Sequence, residues 1–529
     1  MTEQLSKSDV AEVGGDLIRV SSWCFSVTSW FVRFCLGGNE PRNYTKGKTK
    51  PNKTDYDSSI DPVAYGVSKK RPRLPLLELS LFLFVWSVYG VAINSANLKA
   101  FNLQQAGIEA MVERRQFSLE GSATPQFQIR VYYDGDKPFG DTFMYNGRQY
   151  AAKQPGQFML GAVVYFFLRL FGLSYSAHYT LTSALVTFFT SSLVTAAATL
   201  AVFRVARLLT VSESLSWPLA SAFLYGFGTT AFAYSGFAYH DTLASGYLVI
   251  AFYLVVLLAR QQVSLRNAPL VAAAAGVLLG ATLTTSMLPF FMACVVGVYL
   301  VSRSKVTLAA LTGELVGLAP LFLYNARSFG NPLLNSYSAG GYPESFLSFN
   351  LHNSIEKTWL YISEVTLYDP IAWLGILALA FYPRAFRREV LVILGLFVAQ
   401  MFQVLNIESH GGCHYGPRFL LPALPYAALG LAGFHYLRSK GTRRATIGVG
   451  LVGAVSVVVN AVGALYGAMY CDVQVYAFWP GLAALQRGGL IDLRLARWLV
   501  IPVIFSLFLF VYSIRPKRSG GKPTFPTMR

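Results

Sequence analysis

The residues best suited to acid–base chemistry are concentrated in one polar segment. This segment, residues 132–157, reads YYDGDKPFGDTFMYNGRQYAAKQPGQ and mixes carboxylates, cations, tyrosines and glycines. Its carboxylates are candidate general bases, its cations are candidate partners for an anion, and its tyrosines could stack on a sugar ring. The candidates in this segment are Asp134, Asp136, Asp141, Arg148, Tyr150 and Lys153.

Not all of these residues need a catalytic explanation. Asp-Gly and Asn-Gly dipeptides mark turns, so Asp134 and Asp136 are equally well explained as residues of a solvated turn. Asp141 and Lys153 are better candidates, because they bracket a Tyr-Asn-Gly turn just before the apolar stretch 156–173.

A second polar segment, YSGFAYHDTLASG, places His240 and Asp241 in a short turn between two long apolar stretches. An ionisable pair at a membrane boundary is costly unless it is paired or functional. Asp241 could instead cap the next helix by accepting hydrogen bonds from its first free N–H groups. Both explanations are open at the level of sequence.

A third segment, ESHGGCHYGPRFLLPALP, covers residues 408–425 and contains Arg418 and His414. A guanidinium at the end of a helix suits bidentate binding of a phosphate. His410 and His414 are four residues apart, but two glycines separate them and no third ligand is evident, so no metal site is predicted.

The composition defines the kind of molecule that must position these residues. Of the 529 residues, 54% are hydrophobic and 13% are charged, against about 25% charged in soluble domains. This excludes a soluble enzyme and a disordered scaffold. The net charge of +18 comes from basic residues clustered between apolar stretches, which indicates membrane topology and not a nucleic-acid partner.

Twelve apolar segments are long enough to cross a bilayer. They lie near 75–95, 178–202, 214–236, 241–259, 268–286, 287–302, 306–326, 366–382, 388–406, 417–437, 445–468 and 495–514. The predicted fold class is therefore an all-α polytopic membrane protein with about twelve transmembrane helices.

Charge decides how the thirteenth apolar stretch, 156–173, is interpreted. If it does not cross, the basic clusters at 204–207, 384–388 and 438–444 all face the cytoplasm, while the short turns on the other side carry no Lys or Arg. If it does cross, this bias is reversed, against the positive-inside rule. We therefore expect 156–173 to lie along the external face, with both termini cytoplasmic.

This topology divides the chain into three parts. A basic cytoplasmic extension covers 1–74, the transmembrane domain covers 75–514, and a cytoplasmic tail covers 515–529. Long external loops are expected at about 96–177, 327–365 and 469–494, with juxtamembrane helices in the first. Loops of this length are usually functional.

Four features, in this order, resemble the GT-C superfamily of integral-membrane glycosyltransferases. They are a first helix followed by a long external loop, the stretch DTFMYNGRQYAAKQPG before a short apolar segment, the His-Asp turn opening the fourth helix, and GPRFLLPALP at a late helix. The nearest branch contains the protein O-mannosyltransferases (glycosyltransferase family 39) and the lipid A aminoarabinose transferase. YNGRQYAAKQPG is similar to its Gly-x-x-Tyr-x-x-Lys-x-Pro element.

The resemblance implies a fold, a reaction and partners. The reaction is transfer of a sugar, with inversion, from a polyprenyl-phosphate donor to a hydroxyl of a glycan, lipid or protein acceptor at the external face. A carboxylate base would be Asp141, Asp241 or a residue of the Asp134–Asp136 pair. Stabilisation of the leaving phosphate would fall to Lys153, Arg418, Arg148 or His240, with Tyr150 and His414 also expected near the substrate.

One departure from the family pattern affects the base. Many members have an acidic residue directly after the first helix, whereas this chain reads INSANLKAFN there, with no acid before Glu109. A divalent metal is used by some members and not by others, so no cofactor is certain and a divalent metal stays possible. A role in the biosynthesis of cell-envelope glycans, in a bacterial plasma membrane, is the expectation.

Three alternatives stay open: a secondary transporter, a non-catalytic assembly or lipid-binding protein, and a polymerase or ligase of lipid-linked glycans. Twelve spans with both termini inside also fit a secondary transporter, but transporters usually show two similar halves and ionisable residues near the midplane. Here no repeat is visible and the candidates cluster at one face. A polymerase or ligase of lipid-linked glycans differs only in the size of donor and acceptor, which the sequence does not encode.

Overall fold

The computed structural model describes residues 74–94, 98, 102–129, 131–134, 137–139, 141–210, 214–301, 306–342, 351–407, 414–467, 476–486 and 493–514. The expected N-terminal extension up to residue 73, the C-terminal tail, Asp136 and His410 lie outside these residues.

The first half of the described chain combines long helices with two small hairpins. Its elements are α1 Leu74–Val91, α2 Leu103–Glu109, β1 Tyr132–Asp134, β2 Lys137–Phe139, β3 Thr142–Tyr145, β4 Arg148–Ala151, α3 Gly156–Leu170, α4 Tyr175–Thr187, α5 Leu193–Leu208, α6 Ser216–Gly228, α7 Thr230–Ser235 and α8 His240–Ala259. A single wide helical turn joins α4 to α5, so the helix is continuous from α4 into α5 after a backbone kink at His178.

The second half is helical throughout its described residues. Its helices are α9 Ala268–Thr285, α10 Phe290–Val301, α11 Thr307–Phe329, α12 Ser336–Ala339, α13 Leu351–Tyr368, α14 Ile371–Ala378, α15 Arg387–Asn406, α16 Leu424–Gly430, α17 Ser439–Tyr466, α18 Phe478–Gln486 and α19 Leu493–Ile514. Tight helical turns at Arg418–Ala423 and Leu431–Tyr436 extend α16 at both ends.

The chain is an integral membrane protein with an all-α fold, as expected. Among the described residues, eight helices are long and apolar enough to cross a bilayer: Leu74–Val91, Tyr175–Leu208, His240–Ala259, Ala268–Thr285, Thr307–Phe329, Arg384–Asn406, Arg418–Tyr436 and Ser439–Tyr466. A ninth is obtained if Ser354–Tyr368 and Ile371–Phe381, bent by 104° at their junction, count as one span.

The predicted number of twelve is therefore not reproduced by single helices. The segment 214–236 is split at Thr229, whose extended backbone separates α6 from α7. The segment 287–302 yields the 12-residue helix α10, which is too short to count among the eight, whereas 495–514 lies within the 22-residue helix α19. Apolar length alone did not reveal these breaks, because they depend on local backbone geometry.

The stretch 156–173 forms α3, a helix of 15 residues. At a rise of 1.5 Å per residue it is about 22 Å long, shorter than the roughly 30 Å hydrocarbon core. It belongs with the shorter apolar helices and not with the eight candidate spans.

A glycine seam holds α9 against α11. A Cβ atom added at Gly280 would lie 2.3 Å from the carbonyl oxygen of Glu314, and one added at Gly317 would lie 2.3 Å from the carbonyl oxygen of Val277. Small residues four apart let membrane helices approach until their backbones touch. Thr284 then donates a hydrogen bond of 2.8 Å to the carbonyl of Gly317. The seam fixes the C-terminal end of α9.

Ion pairs mark the opposite end of the bundle from the start of α8. Arg204 and Arg207, at the end of α5, lie 2.8 and 3.5 Å from Glu78 at the start of α1. Arg260, directly after α8, lies 2.9 Å from Glu389. The polar cluster described below therefore sits at the other end of the same helices.

Gly317→Ala should lower the melting temperature of the protein in detergent. The new methyl group meets backbone atoms, which cannot rotate away, and overpacking of this kind costs about 1–3 kcal/mol. Gly448→Ala is the matched control, because a Cβ atom there has no atom within 4 Å. Equal melting temperatures for the two variants would contradict the close packing of the seam.

Candidate functional site

A hairpin brings Asp141 and Lys153 together. Strands β3 and β4 are antiparallel, with Thr142 opposite Ala151 and Tyr145 opposite Arg148. The turn between them, Asn146-Gly147, has positive φ at both residues (49° and 76°), as such two-residue turns require. At the other end of the hairpin, the Nζ atom of Lys153 lies 2.6 Å from Oδ1 of Asp141.

The two charges in this pair keep each other ionised. The side chain of Asp141 is 46% exposed and that of Lys153 is 10% exposed. The surrounding protein would raise the pKa of Asp141, but the Lys153 ammonium, with help from Arg418 and His240, brings this pKa below its usual value. Burial would lower the pKa of Lys153, but Asp141 raises it overall. A reachable carboxylate thus lies beside a nearly buried cation.

Aromatic packing fixes the position of the hairpin. Phe143 and Tyr150 pack on Phe329, with ring centroids 6.1 and 5.2 Å away, and Tyr342 donates a hydrogen bond of 3.2 Å to the carbonyl of Thr142. Tyr150 is only 4% exposed, so its ring supports the hairpin and has no open face for a sugar.

Three other predicted site residues, Arg148, Asp134 and Asp136, are not part of the Asp141–Lys153 pair. Arg148 is exposed at the turn end of the hairpin, three residue pairs from Asp141. Asp134 ends β1 and is paired in register with Lys137, as a turn residue would be. Asp136 lies outside the described residues.

His240 and Asp241 open α8 and are buried, at 4% and 2% exposure. The Nε2 atom of His240 lies 3.5 Å from Oδ1 of Asp241, which also accepts a hydrogen bond of 2.6 Å from Ser286 Oγ. The Nδ1 atom of His240 lies 3.1 Å from Gln104 Nε2, so this ring nitrogen accepts and Nε2 carries the proton towards Asp241. The helix has no side-chain cap, so capping is not the role of Asp241.

A close contact connects the hairpin to this pair. A Cβ atom on Gly156, at the start of α3, would lie 2.2 Å from Oγ1 of Thr285. The absence of a side chain therefore lets the segment after Lys153 rest on the end of α9, beside Ser286. The glycine seam positions that end of α9, and it therefore also positions Ser286, the hydrogen-bond donor to Asp241.

Arg418 approaches from a separate part of the chain. Its guanidinium carbon lies 5.4 Å from the ring centroid of Tyr239 and 5.0 Å from that of Phe419. Within the described residues its side chain has these ring contacts and no hydrogen bond, and its Nε atom is buried. Its charge nevertheless acts on both Asp141 and Lys153.

The backbone before Arg418 is tightly held. Tyr415 donates two hydrogen bonds: its N–H donates to Tyr234 Oη at 3.0 Å, and its hydroxyl donates to the carbonyl of Val459 at 2.6 Å. Gly416 has a φ of 66°, which favours glycine, and a Cβ atom there would lie 2.6 Å from Cγ2 of Thr230. These contacts hold the backbone directly before Arg418 in place.

His414 is paired with a residue that the sequence reading missed. Its Nε2 atom lies 3.1 Å from Oε1 of Glu364, on α13, and the His414 side chain is 6% exposed. Within the part of the chain that the structure describes, no group of three His, Cys, Asp or Glu residues has an arrangement that could hold a metal ion.

Five of the predicted residues thus form one polar cluster: Asp141, Lys153, His240, Asp241 and Arg418. The structure adds Gln104, Ser286 and Tyr337, whose ring lies 6.0 Å from Lys153 Nζ. No sequence motif marked these three, because an amide, a hydroxyl and a phenol are common residue types. Glu109, the first acid after α1, is instead paired with Arg114 and accepts a hydrogen bond from Ser122 at 2.8 Å.

Comparison with known proteins gives structural matches only. No family model matches the chain, and no curated protein matches it. ArnT from Cupriavidus metallidurans, in a crystal structure bound to undecaprenyl phosphate, is similar with a TM-score of 0.45 and 14% identity, over 83% of this chain and 76% of that one. The apo structure of ArnT gives a TM-score of 0.44 at 14% identity, with the same coverage.

A second matched protein is the oligosaccharyltransferase of Archaeoglobus fulgidus. Its structure with zinc and sulfate has a TM-score of 0.42 and 13% identity, over 74% of this chain and 54% of that one.

Ser286→Ala should lower the melting temperature, because it leaves the buried Asp241 without its hydroxyl donor. Loss of a hydrogen bond to a charged group costs about 1.5–3 kcal/mol. Ser221→Ala is the matched control, since Ser221 is fully buried and its Oγ has no hydrogen-bond partner within the described structure. If Ser221→Ala destabilises as much as Ser286→Ala in thermal melts, the Ser286–Asp241 bond has no special weight.

Proposed function

We propose that this protein is a membrane glycosyltransferase. It transfers a sugar from a polyprenyl-phosphate donor to an acceptor hydroxyl, with inversion at the anomeric carbon. The observation that carries the proposal is the Asp141–Lys153 pair, a reachable carboxylate 2.6 Å from a nearly buried cation, with the charge of Arg418 acting on both residues.

Arg418 is suited to hold the phosphate. Lys153 already has a carboxylate partner, whereas within the described residues Arg418 has only ring contacts. Stacking on Tyr239 and Phe419 restricts the guanidinium plane, and a planar fork can bind a phosphate through two oxygens. Charge fixed in advance stabilises a leaving phosphate without reorganisation during the reaction.

Asp141 is the better base of the two central aspartates. Its side chain is 46% exposed, while that of Asp241 is 3% exposed and engaged with Ser286 and His240. In the proposed step, the acceptor oxygen forms a bond to the anomeric carbon as its proton passes to Asp141. The bond from that carbon to the phosphate oxygen breaks, and the electron pair leaves with the phosphate. Asp241 acts as a positioning residue that orients His240.

An apolar groove between α10 and α15 supports a lipid-linked donor. The groove is open, encloses about 640 Å³ and is lined by residues such as Phe291, Val295, Val398 and Phe402. Helix α10 begins four residues after Ser286, so one end of the groove lies near the polar cluster. An isoprenoid chain in this groove would bring its phosphate to the cations. The external location of the site and a bacterial plasma membrane are part of the proposal, on the charge bias of the loops.

The test is release of polyprenyl phosphate from a panel of radiolabelled polyprenyl-phosphate sugars, with a membrane extract as the source of acceptor. Asp141→Asn should reduce turnover about 10²–10⁴-fold, the usual contribution of a general base. Arg418→Lys should reduce it about 10²-fold, because the ammonium cannot reproduce the fork.

Two controls accompany these variants. Glu120→Gln changes an exposed carboxylate of the same loop, and Lys440→Met removes an exposed cation at the start of α17. Both should retain turnover. Full activity of Asp141→Asn would remove Asp141 as the base, and uptake of free sugars into proteoliposomes without turnover would favour a transporter.

The pH profile provides an independent check on the Asp141–Lys153 pair. In the wild type the Lys153 ammonium holds the pKa of Asp141 below its usual value, so kcat/KM should fall only at a pH below the usual range of an aspartate. In Lys153→Met the largest of the contributions that offset burial is lost, so the pKa of Asp141 rises and the acidic limb moves to higher pH. An unmoved limb, in a variant that still turns over, would show that another group sets it.

A further inference from the structure

Five basic side chains lie at the end of the bundle opposite the polar cluster. Arg384, Arg387 and Arg388 stand where the chain turns from α14 into α15, and Arg438 and Lys440 stand where it turns from α16 into α17. All five are exposed, and within the described residues none of them forms an ion pair. We call these five residues the basic patch.

Aromatic packing joins the two turns into one surface. The ring centroid of Tyr436 lies 5.7 Å from that of Tyr382 and 5.8 Å from that of Phe386. Phe386 directly precedes Arg387, and Tyr436 comes two residues before Arg438. The cations of the two turns therefore belong to the same surface, although about fifty residues separate them in the chain.

No carboxylate of these turns neutralises the basic patch. Residues 377–388 and 431–466 contain no Asp or Glu. Glu389, the next acid, is 6% exposed and is engaged by Arg260 at 2.9 Å. Cations gathered without counter-charges repel one another. The positive-inside rule explains on which side of the membrane they lie, but it does not require that two turns bring them together.

Exposed apolar side chains adjoin the basic patch. Leu377 lies on α14 just before the first turn, and Leu391 lies on α15 one helical turn after Arg387, on the same face. Ile447 is exposed in the second turn of α17, close to Lys440 in the chain. Cations at the ends of membrane helices, next to exposed apolar side chains, match a molecule that has both an anionic head group and acyl chains.

We propose that the basic patch binds an anionic phospholipid, and that a head group with two phosphates, as in cardiolipin, fits it best. Each of the two turns supplies an arginine, and a guanidinium can hold a phosphate through two N–H groups. Under the topology expected from the charge bias, the patch faces the inner leaflet. The inference does not depend on the proposed function, because the patch lies at the opposite end of the helices.

The test measures binding of added lipids to the delipidated full-length protein by native mass spectrometry. The probes are cardiolipin, phosphatidylglycerol and phosphatidylethanolamine, all with oleoyl chains. The wild type should bind cardiolipin about tenfold more tightly than phosphatidylethanolamine, with phosphatidylglycerol between them, since each cation near a lipid surface contributes about a fivefold gain. Inorganic pyrophosphate in excess should not displace cardiolipin, because it has no acyl chains.

Arg387→Gln together with Arg438→Gln removes one cation from each turn, and should reduce binding of cardiolipin to the level of phosphatidylethanolamine. Arg387→Lys together with Arg438→Lys keeps both charges and should keep most of the preference. Arg115→Gln together with Arg327→Gln is the matched control, because both arginines are exposed and lie outside the two turns. Without lipid, all three double variants should melt within a few degrees of the wild type, since exposed unpaired side chains contribute little to stability.

The possible results discriminate clearly. Equal affinities of the wild type for cardiolipin and phosphatidylethanolamine would overturn the proposal, and so would a cardiolipin preference that survives the Arg387→Gln, Arg438→Gln change. An equal loss in the matched control would show a general effect of net charge. Displacement of cardiolipin by pyrophosphate would show a site for soluble phosphates in place of a lipid. None of these measurements involves a polyprenyl-phosphate sugar, so a failure here leaves the proposed function unaffected.

Discussion

The structure depends on the cost of holding charge at the end of a helical bundle, where little water is available to solvate it. Asp241 and His240 are nearly buried at the first turn of α8, and Lys153 is nearly buried next to them. Removing such charges from water is expensive unless each finds a partner. The serine after α9, the glutamine on α2 and the aspartate before β3 supply those partners.

The position of each partner depends on the backbone, either on close packing at a glycine or on a tight turn. The seam of Gly280 and Gly317 sets the end of α9, and therefore Ser286. Gly156 lets the segment after Lys153 lie on Thr285, and the Asn146-Gly147 turn closes the hairpin that places Asp141 beside Lys153. Glycines and one tight turn thus determine the electrostatics of the cluster, since a displacement of any helix would leave a buried charge unpaired.

Residues of the same type differ in exposure and in hydrogen bonding. Asp141 and Asp241 are both carboxylates near cations, but one side chain is 46% exposed and the other 3%. Likewise Gln105 is satisfied on both sides, whereas Gln154 and Gln157 are not. Exposure and hydrogen-bond satisfaction are properties of the packed structure, so residues of one type cannot be told apart by type alone.

The sequence by itself determined the membrane character and the all-α class, and it named the five residues of the polar cluster among ten candidates, because hydropathy, charge bias and short motifs are local properties. It also identified the Asn-Gly turn that brackets Asp141 and Lys153. It did not determine the number of unbroken spans, since the break at Thr229 and the 104° bend before α14 arise from backbone geometry and packing. Only the tertiary structure could bring Gln104, Ser286 and Glu364 to their partners, because those contacts join positions 45 to 136 residues apart. Only it could show that Tyr150 packs inside an aromatic cluster, since burial depends on the loop that folds over the ring.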